Sequence, residues 1–196
     1  MTTPIKIKII LGSTREGRFS EKPGHWILEQ LKNVKDVDAE ILDLRDYPLP
    51  FFNEAMSPTW AVMQKKYPYD ISKKWSDKIA EGDAFIVVSP EYNHGYSAVL
   101  KNAFDYTQPE WKNKPVGFIS YGNAGGARAI EQLRQVVIEL QMAPIRNSLN
   151  IFWPQYMEVS KEKVGAKPSA LDTMKDASDK FIEQLLWWAS ALKNWR

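Results

Sequence analysis

Short runs of β-branched and aromatic residues alternate along this chain with longer stretches whose apolar positions recur every three or four residues. Ile5-Lys6-Ile7-Lys8-Ile9-Ile10-Leu11, bounded by Pro4 and Gly12, predicts a first strand. Trp26, Ile27 and Leu31 then fall at helical spacing, and Ala39 to Leu44 reads as a second strand. From Tyr47 to Pro68 the chain is rich in proline and aromatics, with room for one short helix. Ile71, Trp75 and Ile79, spaced by four, predict a helix ending near Glu81. The third strand is Ala84 to Ser89, followed by a helix that ends near Tyr106. Lys114-Pro115 precedes a fourth strand, Val116 to Tyr121, and a Gly-rich turn leads into a helix ending near Gln141. A fifth strand covers Ile145 to Ile151. The last helix starts at about Ser169 and carries an apolar stripe of Leu171, Met174, Phe181, Leu185, Trp188 and Leu192.

Five strand–helix alternations imply a mostly parallel sheet with helices on both faces. Right-handed crossovers leave few topologies. The order 2-1-3-4-5, a flavodoxin-like three-layer α/β sandwich, is the one expected. At 196 residues, with neither repeats nor a dividing linker, residues 1–196 are expected to form one domain. Apolar and charged fractions of 44% and 26% are those of an ordinary globular protein. No apolar run nears the roughly 20 residues of a membrane span, and the N-terminus lacks the order of a signal peptide. Zero cysteines exclude disulfides, thiolate chemistry and Cys-based metal sites. A net charge of +2, with basic residues mixed among acidic ones, does not point to nucleic acid. A cytoplasmic location without membrane attachment is expected. Eight tryptophans suggest ring-lined surfaces or subunit contacts beyond an ordinary core.

Open α/β sheets bind ligands above the carboxyl ends of their strands. The loops after the first, third and fourth strands meet there, and all three are unusual. Gly12 to Ser20 supplies hydroxyls, guanidinium groups and a helix N-terminus suited to a phosphate, or else a solvated turn with Ser20 as cap. Arg18-Phe19 stands where a Walker A loop needs Lys-Ser/Thr, and the G-x-G-x-x-G fingerprint is absent, so neither an NTPase nor a standard dinucleotide loop is indicated. Ser89 to Tyr106 begins with Pro90, Glu91, Tyr92 and Asn93, which offer a shaped turn, acceptors, an amide and a flat ring. Ser120 to Gly126 leaves backbone amides uncovered for a flat ligand. Together the three loops match a mononucleotide with a large planar head, and FMN fits best.

These residues resemble the NADPH-dependent FMN reductases, which include azo, quinone and chromate reductases. The resemblance runs from Ile5 to about Asn150. It rests on Gly12-Ser13-x-Arg15 with Phe19-Ser20, on Pro90-Glu91-Tyr92-Asn93 with Leu100-Lys101-Asn102-Ala103, and on Ser120-x-Gly122-x-x-Gly125-Gly126. It implies a phosphate held by Ser13, Arg15 and Ser20 beside Phe19. It also implies an isoalloxazine against Pro90, Glu91, Tyr92 and Asn93, with Ser120, Tyr121, Gly122 and Gly125 at its rim. The family further implies a homodimer or homotetramer. Its members take electrons from NADPH or NADH and pass them to a small acceptor, here expected in ping-pong order. Three features depart from the pattern: Ser20 where many members have Asn, His94-Gly95-Tyr96-Ser97 in a variable stretch, and a long aromatic segment from Phe51 to Tyr69.

Flavin carries the hydride chemistry itself, so no nucleophile or acid–base pair is expected from the protein. Glu91 and His94 read as positioning or turn residues. Arg15, Arg18 and Arg128 are candidates to steer NADPH phosphates, with pairing to a neighbouring acid the preferred reading for Arg128. Trp60 and Phe52 are candidates for a substrate mouth, and Trp187, Trp188 and Trp195 for packing or subunit contact. The competing reading is a flavodoxin-type electron carrier without its own NAD(P)H oxidation, ranked lower because the loop is not Thr-rich and the balance is slightly basic. A response-regulator receiver lacks its acidic cluster at Leu11-Gly12, and a low-molecular-weight phosphatase lacks its cysteine. A flavin-free scaffold is the remaining alternative.

Overall fold

The computed structural model describes residues 3–167 and 169–195. Strands β1 (Ile5–Leu11), β2 (Val37–Asp43), β3 (Ala84–Pro90), β4 (Pro115–Tyr121) and β5 (Ala143–Ile151) form one parallel sheet in the order β2-β1-β3-β4-β5. That is the expected flavodoxin-like order. Of the three inner strands, β3 and β4 are buried along their whole length and β1 from Ile7 onward, as a sheet covered on both faces requires.

Strand periodicity sorts side chains into two cores. Ile7, Ile9, Leu11, Ile86 and Val88 point to one face, which Ile27 and Leu31 of α1 (Glu21–Leu31) cover. Phe181 and Leu185 of the C-terminal helix cover the same face. Ile10, Phe85, Val87 and Phe118 point to the other, under the middle helices of the chain. Gly117 in β4 is a contact point: a Cβ there would lie 2.4 Å from the Phe181 ring, so only glycine lets that helix approach the sheet so closely. Lys8 occupies a buried position on β1, where Glu40 and Glu81 both accept from its ammonium.

The remaining helices are α2 (Pro58–Gln64), α3 (Asp70–Glu81), α4 (Ala98–Asp105), α5 (Ala127–Glu139), α6 (Trp153–Ser160) and α7 (Lys175–Lys193). Two differ from expectation and one meets it. The short helix within the proline-rich segment is α2, with Pro58 in its first turn and Ser57 capping Trp60 N. Helix α6 is not anticipated at all. The C-terminal helix begins as a 3-10 turn at Ala170–Met174, after which α7 starts at Lys175. Strand β2 starts two residues earlier than its apolar run suggests, at Val37, because pairing with Ile5 extends it. Among the described residues no helix is long and apolar enough to cross a membrane.

Candidate cofactor cleft

The β1–α1 loop is built around a buried arginine. Arg18 donates to the Ser13 carbonyl at 2.7 Å, to Asp43 Oδ1 at 2.6 Å and to Glu21 Oε1 at 2.9 Å, and forms a second contact to Asp43 Oδ2. Its side chain is 2% exposed. Arg18 is therefore a brace, and the sequence expectation that it steers phosphates does not hold. Burial pushes the Asp43 carboxyl up, but the hydrogen bonds and positive charges of Arg18 and Arg45 together hold it below its ordinary range. Arg45 adds a second clamp from outside, donating to the carbonyls of Thr14 and Arg15. The loop is thus fixed while the Arg15 side chain stays exposed, 5.7 Å above the Tyr92 ring. Ser20 sits at the start of α1, but its hydroxyl caps nothing. That hydroxyl is buried, next to the Tyr121 phenol, and has no hydrogen-bond partner of good geometry among the described residues.

The β3–α4 loop is a tight hairpin. Tyr92 and Gly95 exchange backbone bonds of 2.7 and 2.9 Å, and Asn93 and His94 between them both have positive φ, at 50° and 68°. Two consecutive left-handed residues define a I′-type turn, and neither is glycine, so the surroundings must hold it. They do so from α5. The buried Glu91 carboxylate accepts from Arg128 Nε at 2.7 Å and from the Arg128 and Ala129 backbone N–H groups at 3.1 and 3.4 Å. Gln132 Nε2 donates to the His94 carbonyl at 3.0 Å. Burial pushes the Glu91 carboxyl up, but these donors, Arg128 above all, bring it below the usual carboxylate range. Glu91 stays ionised and fully engaged, which leaves it no capacity to act as a base. On the other side, Tyr92 Oη shares a 2.9 Å hydrogen bond with Ser13 Oγ, and Ser97 Oγ donates to the Gly12 carbonyl, tying the hairpin to the first loop.

The β4–α5 loop forms the third wall. Ser120 Oγ donates to the Ser89 carbonyl at 2.7 Å beneath it. A Cβ on Gly126 would lie 1.9 Å from that hydroxyl, and φ there is 72°, so glycine is obligatory. Tyr121 is buried, and desolvation first of all keeps its phenol protonated well above its ordinary range. It belongs to a ring cluster with Phe19 at 4.8 Å and Tyr156 at 6.2 Å. Trp153 stacks on Tyr156 at 5.2 Å with planes 10° apart.

The three loops and the start of α6 enclose a cleft of about 470 Å³ at the carboxyl edge of the sheet, a usual size for a small-molecule site. Of the predicted residues, Arg15, Phe19, Pro90, Glu91, Tyr92, Asn93, Tyr121 and Gly122 line it. Ser13, Ser20, Ser120 and Gly125 do not. Ser13 reaches it through Tyr92, Ser20 is buried under the loop, Ser120 braces the floor, and Gly125 lies against Asn150 and Phe152. Trp153 and Tyr156 were missed, together with the helix that carries them. The available signal was Pro154 in the first turn of a helix. Phe52 and Trp60 are not at this cleft: Phe52 packs edge-on against Tyr106 elsewhere, and Trp60 is exposed on α2.

The model of the NADPH-dependent FMN reductase family matches residues 5–153. An NAD(P)H-dependent FMN reductase of Schizosaccharomyces pombe is 36% identical over 148 residues, covering 74% of this chain and 73% of that protein. An NAD(P)H:quinone oxidoreductase of Solanum tuberosum is 31% identical over 143 residues, covering 70% of each chain. Among solved structures, the flavoenzyme NAD(P)H:(acceptor) oxidoreductase FerB of Paracoccus denitrificans superposes with a TM-score of 0.71. It is 23% identical, with 95% of this chain and 98% of that one covered, and shows the shared fold. The motifs, the sheet order and these matches agree: the chain belongs to the NADPH-dependent FMN reductase family.

Proposed function

We propose that this protein binds FMN in the cleft, oxidises NAD(P)H and reduces a small acceptor in ping-pong order. The observation that carries the reading is convergence: residues from three separate loops, eight of them picked out by sequence alone, line one cleft. The donor set fits the cofactor. Arg15 is the one lining guanidinium without a carboxylate partner among the described residues, since Arg18 and Arg128 are paired. Beneath the same loop, at the start of α1, the buried Ser20 hydroxyl lies beside the Tyr121 phenol. In this reading Arg15, Ser13 and Ser20 hold the phosphate beside Phe19. Pro90, Glu91, Tyr92 and Asn93 hold the isoalloxazine, with Ser120, Tyr121, Gly122 and Gly125 shaping its rim.

Bound FMN supplies the redox chemistry, accepting a hydride from NAD(P)H and releasing two electrons to the acceptor. The protein's own part is to bind and orient. The Glu91–Arg128 brace fixes the hairpin, the Tyr121 phenol keeps its proton at neutral pH, and the ring cluster of Phe19, Tyr121, Tyr156 and Trp153 excludes water from one wall. Quinones, azo compounds, metal oxyanions and free flavin are the acceptor classes, and the half-exposed Trp153 favours planar ones. A cytoplasmic homodimer or homotetramer is part of the reading, supported by the exposed indoles of Trp187 and Trp195.

Anaerobic stopped-flow tests it. Purified protein reconstituted with FMN is expected to lose its flavin absorbance on mixing with NADPH, and initial rates against acceptor to give parallel double-reciprocal lines. Intersecting lines would remove the ping-pong order. A flavin spectrum that NADPH does not bleach would leave an electron carrier, and protein that takes up no FMN would sink the whole reading.

A further inference from the structure

Helix α6 supplies a wall of the cleft that belongs to none of the three loops. The family match ends at Trp153, the first residue of this helix. The helix is nonetheless held firmly. Val159 is fully buried, and Lys22 on α1 donates to the Val159 carbonyl at 2.9 Å and to the Ser160 carbonyl. At the other end, Gln155 Oε1 accepts from Phe152 N at 3.2 Å. The Phe152 ring sits against Gly125, where an added Cβ would lie 3.1 Å from it. Helix α6 is thus tied to α1 at its end and to the β4–α5 loop at its start.

Two rings on this helix end an aromatic column. Tyr156 meets the Phe19 ring at 4.3 Å with planes 30° apart, and it meets Trp153 at 5.2 Å with planes 10° apart. Trp153 has no other ring partner among the described residues, so it is the last ring of the column. It lines the cleft and is 51% exposed: Tyr156 covers one face of the indole, and the other is open. Apolar surface left in water contributes nothing to folding. A flat ligand laid on that face would bury it and lengthen the column by one ring.

Resting on the reading of the cleft as an FMN site, we propose that Trp153 selects the electron acceptor and favours fused two-ring quinones over single-ring ones. An indole carries electron density on its faces and stacks best on an electron-poor ring, which a quinone is. Two fused rings match the outline of the indole, whereas a single ring covers only about half of it. Metal oxyanions have no flat face to offer. FMN and NADPH are what the family has in common, and its match stops where α6 starts. The acceptor is the reactant left for that helix.

Binding can be read without turnover, because oxidised protein has no electrons to pass on and the chain has no cysteine for a quinone to alkylate. 2-Methyl-1,4-naphthoquinone and 2-methyl-1,4-benzoquinone are matched probes that differ by one fused ring. Titrated by calorimetry into the full FMN-loaded chain without NADPH, the naphthoquinone is expected to bind about tenfold more tightly. Trp153→Leu keeps an apolar side chain but loses the ring, and should cut that preference to about twofold. Trp153→Tyr, which restores a ring, should keep most of it. Equal affinities in the parent, or a preference that survives Trp153→Leu, would each overturn the proposal. FMN and NADP+ are titrated into the same variant: if either weakens more than the naphthoquinone does, the indole serves the cofactor or the nucleotide, and the proposal falls. FMN uptake and its bleaching by NADPH are read first, so a failure of the cofactor reading is seen before either quinone is added.

Discussion

The two loops that frame the cleft are braced by ion pairs of opposite construction. Under the β1–α1 loop the cation is the buried member: Arg18 is 2% exposed, while its partners Asp43 and Glu21 are 20% and 30% exposed. Under the β3–α4 hairpin the anion is buried: Glu91 is 5% exposed and Arg128 is 43% exposed. A buried guanidinium has many donors to satisfy, and here two carboxylates and a backbone carbonyl do so. A buried carboxylate is satisfied by one arginine and two helix N–H groups, which leaves that arginine half in solvent. The first brace is therefore wholly structural, and the second keeps a guanidinium at the edge of the cleft. Among the described residues, Arg15, three positions from Arg18, is the lining arginine left without an acidic partner.

Removing the buried cation should have the largest effect. Arg18→Met leaves Asp43, Glu21 and the Ser13 carbonyl without their shared donor. Breaking a buried pair from one side typically costs 3–5 kcal/mol, and because both carboxylates can rehydrate, about 3 kcal/mol is expected. Urea denaturation reads this directly. A loss under about 1 kcal/mol would mean that Arg45 and the flanking strands hold the loop without Arg18.

The other brace should be softer. Glu91→Gln removes the charge but keeps one acceptor for the α5 N–H groups, and Arg128 stays hydrated. A stability loss of about 1 kcal/mol is expected, since the pair is half exposed. Its larger consequence falls on the hairpin, where Asn93 and His94 hold positive φ against their preference. FMN affinity should fall about tenfold, equivalent to about 1.4 kcal/mol. An unchanged dissociation constant in a fluorescence titration would show that the hairpin holds its shape without the brace.

Acid separates the two further. The folded-state pKa values of both Asp43 and Glu91 are lowered, so each contributes stability that is complete above the unfolded carboxylate range and lost as pH falls through the folded values. Stability should therefore be level near neutrality and decline below about pH 4. Asp43→Asn and Glu91→Gln should each flatten that decline, and the double variant more than either. An acid limb that keeps its slope in the double variant would assign it to the surface pairs around Glu29 and Glu81, whose carboxyls are lowered to about 2.

The same comparison shows what was legible in the sequence. The five strands announce themselves because β1, β3 and β4 are β-branched or aromatic runs buried on both faces, and their order follows from the helices between them. Eight cleft residues were legible because they close those strands or stand in the loops that follow them. The division of labour among Arg15, Arg18 and Arg128 was only partly legible. Pairing of Arg128 with a nearby acid could be anticipated, but the burial of Arg18 depends on Asp43 at the end of a different strand. Helix α6 was hidden because Phe152-Trp153-Pro154 reads as a strand end followed by a break, although Pro154 sits where the first turn of a helix tolerates it. Phe52, a candidate for the substrate mouth, packs on Tyr106 instead because Asn102, fifty residues away, decides where its segment docks.

Arg15 gives the smallest change in stability and the most specific one in binding. Its side chain is exposed and makes no ion pair among the described residues, so Arg15→Gln should shift stability by no more than about 0.5 kcal/mol. Its guanidinium nevertheless overhangs Tyr92 at the mouth of the cleft, where it can meet a phosphate directly. Removing one charge contact from a phosphate should weaken FMN about fivefold and flatten the dependence of affinity on salt, because an exposed contact is screened by ions. Arg18→Met, in contrast, should weaken FMN only as far as it loosens the loop, with the salt dependence of the parent retained. A salt slope that changes in Arg18→Met and not in Arg15→Gln would reverse the roles given to these two arginines. It would mean that the buried brace opens when the cofactor binds.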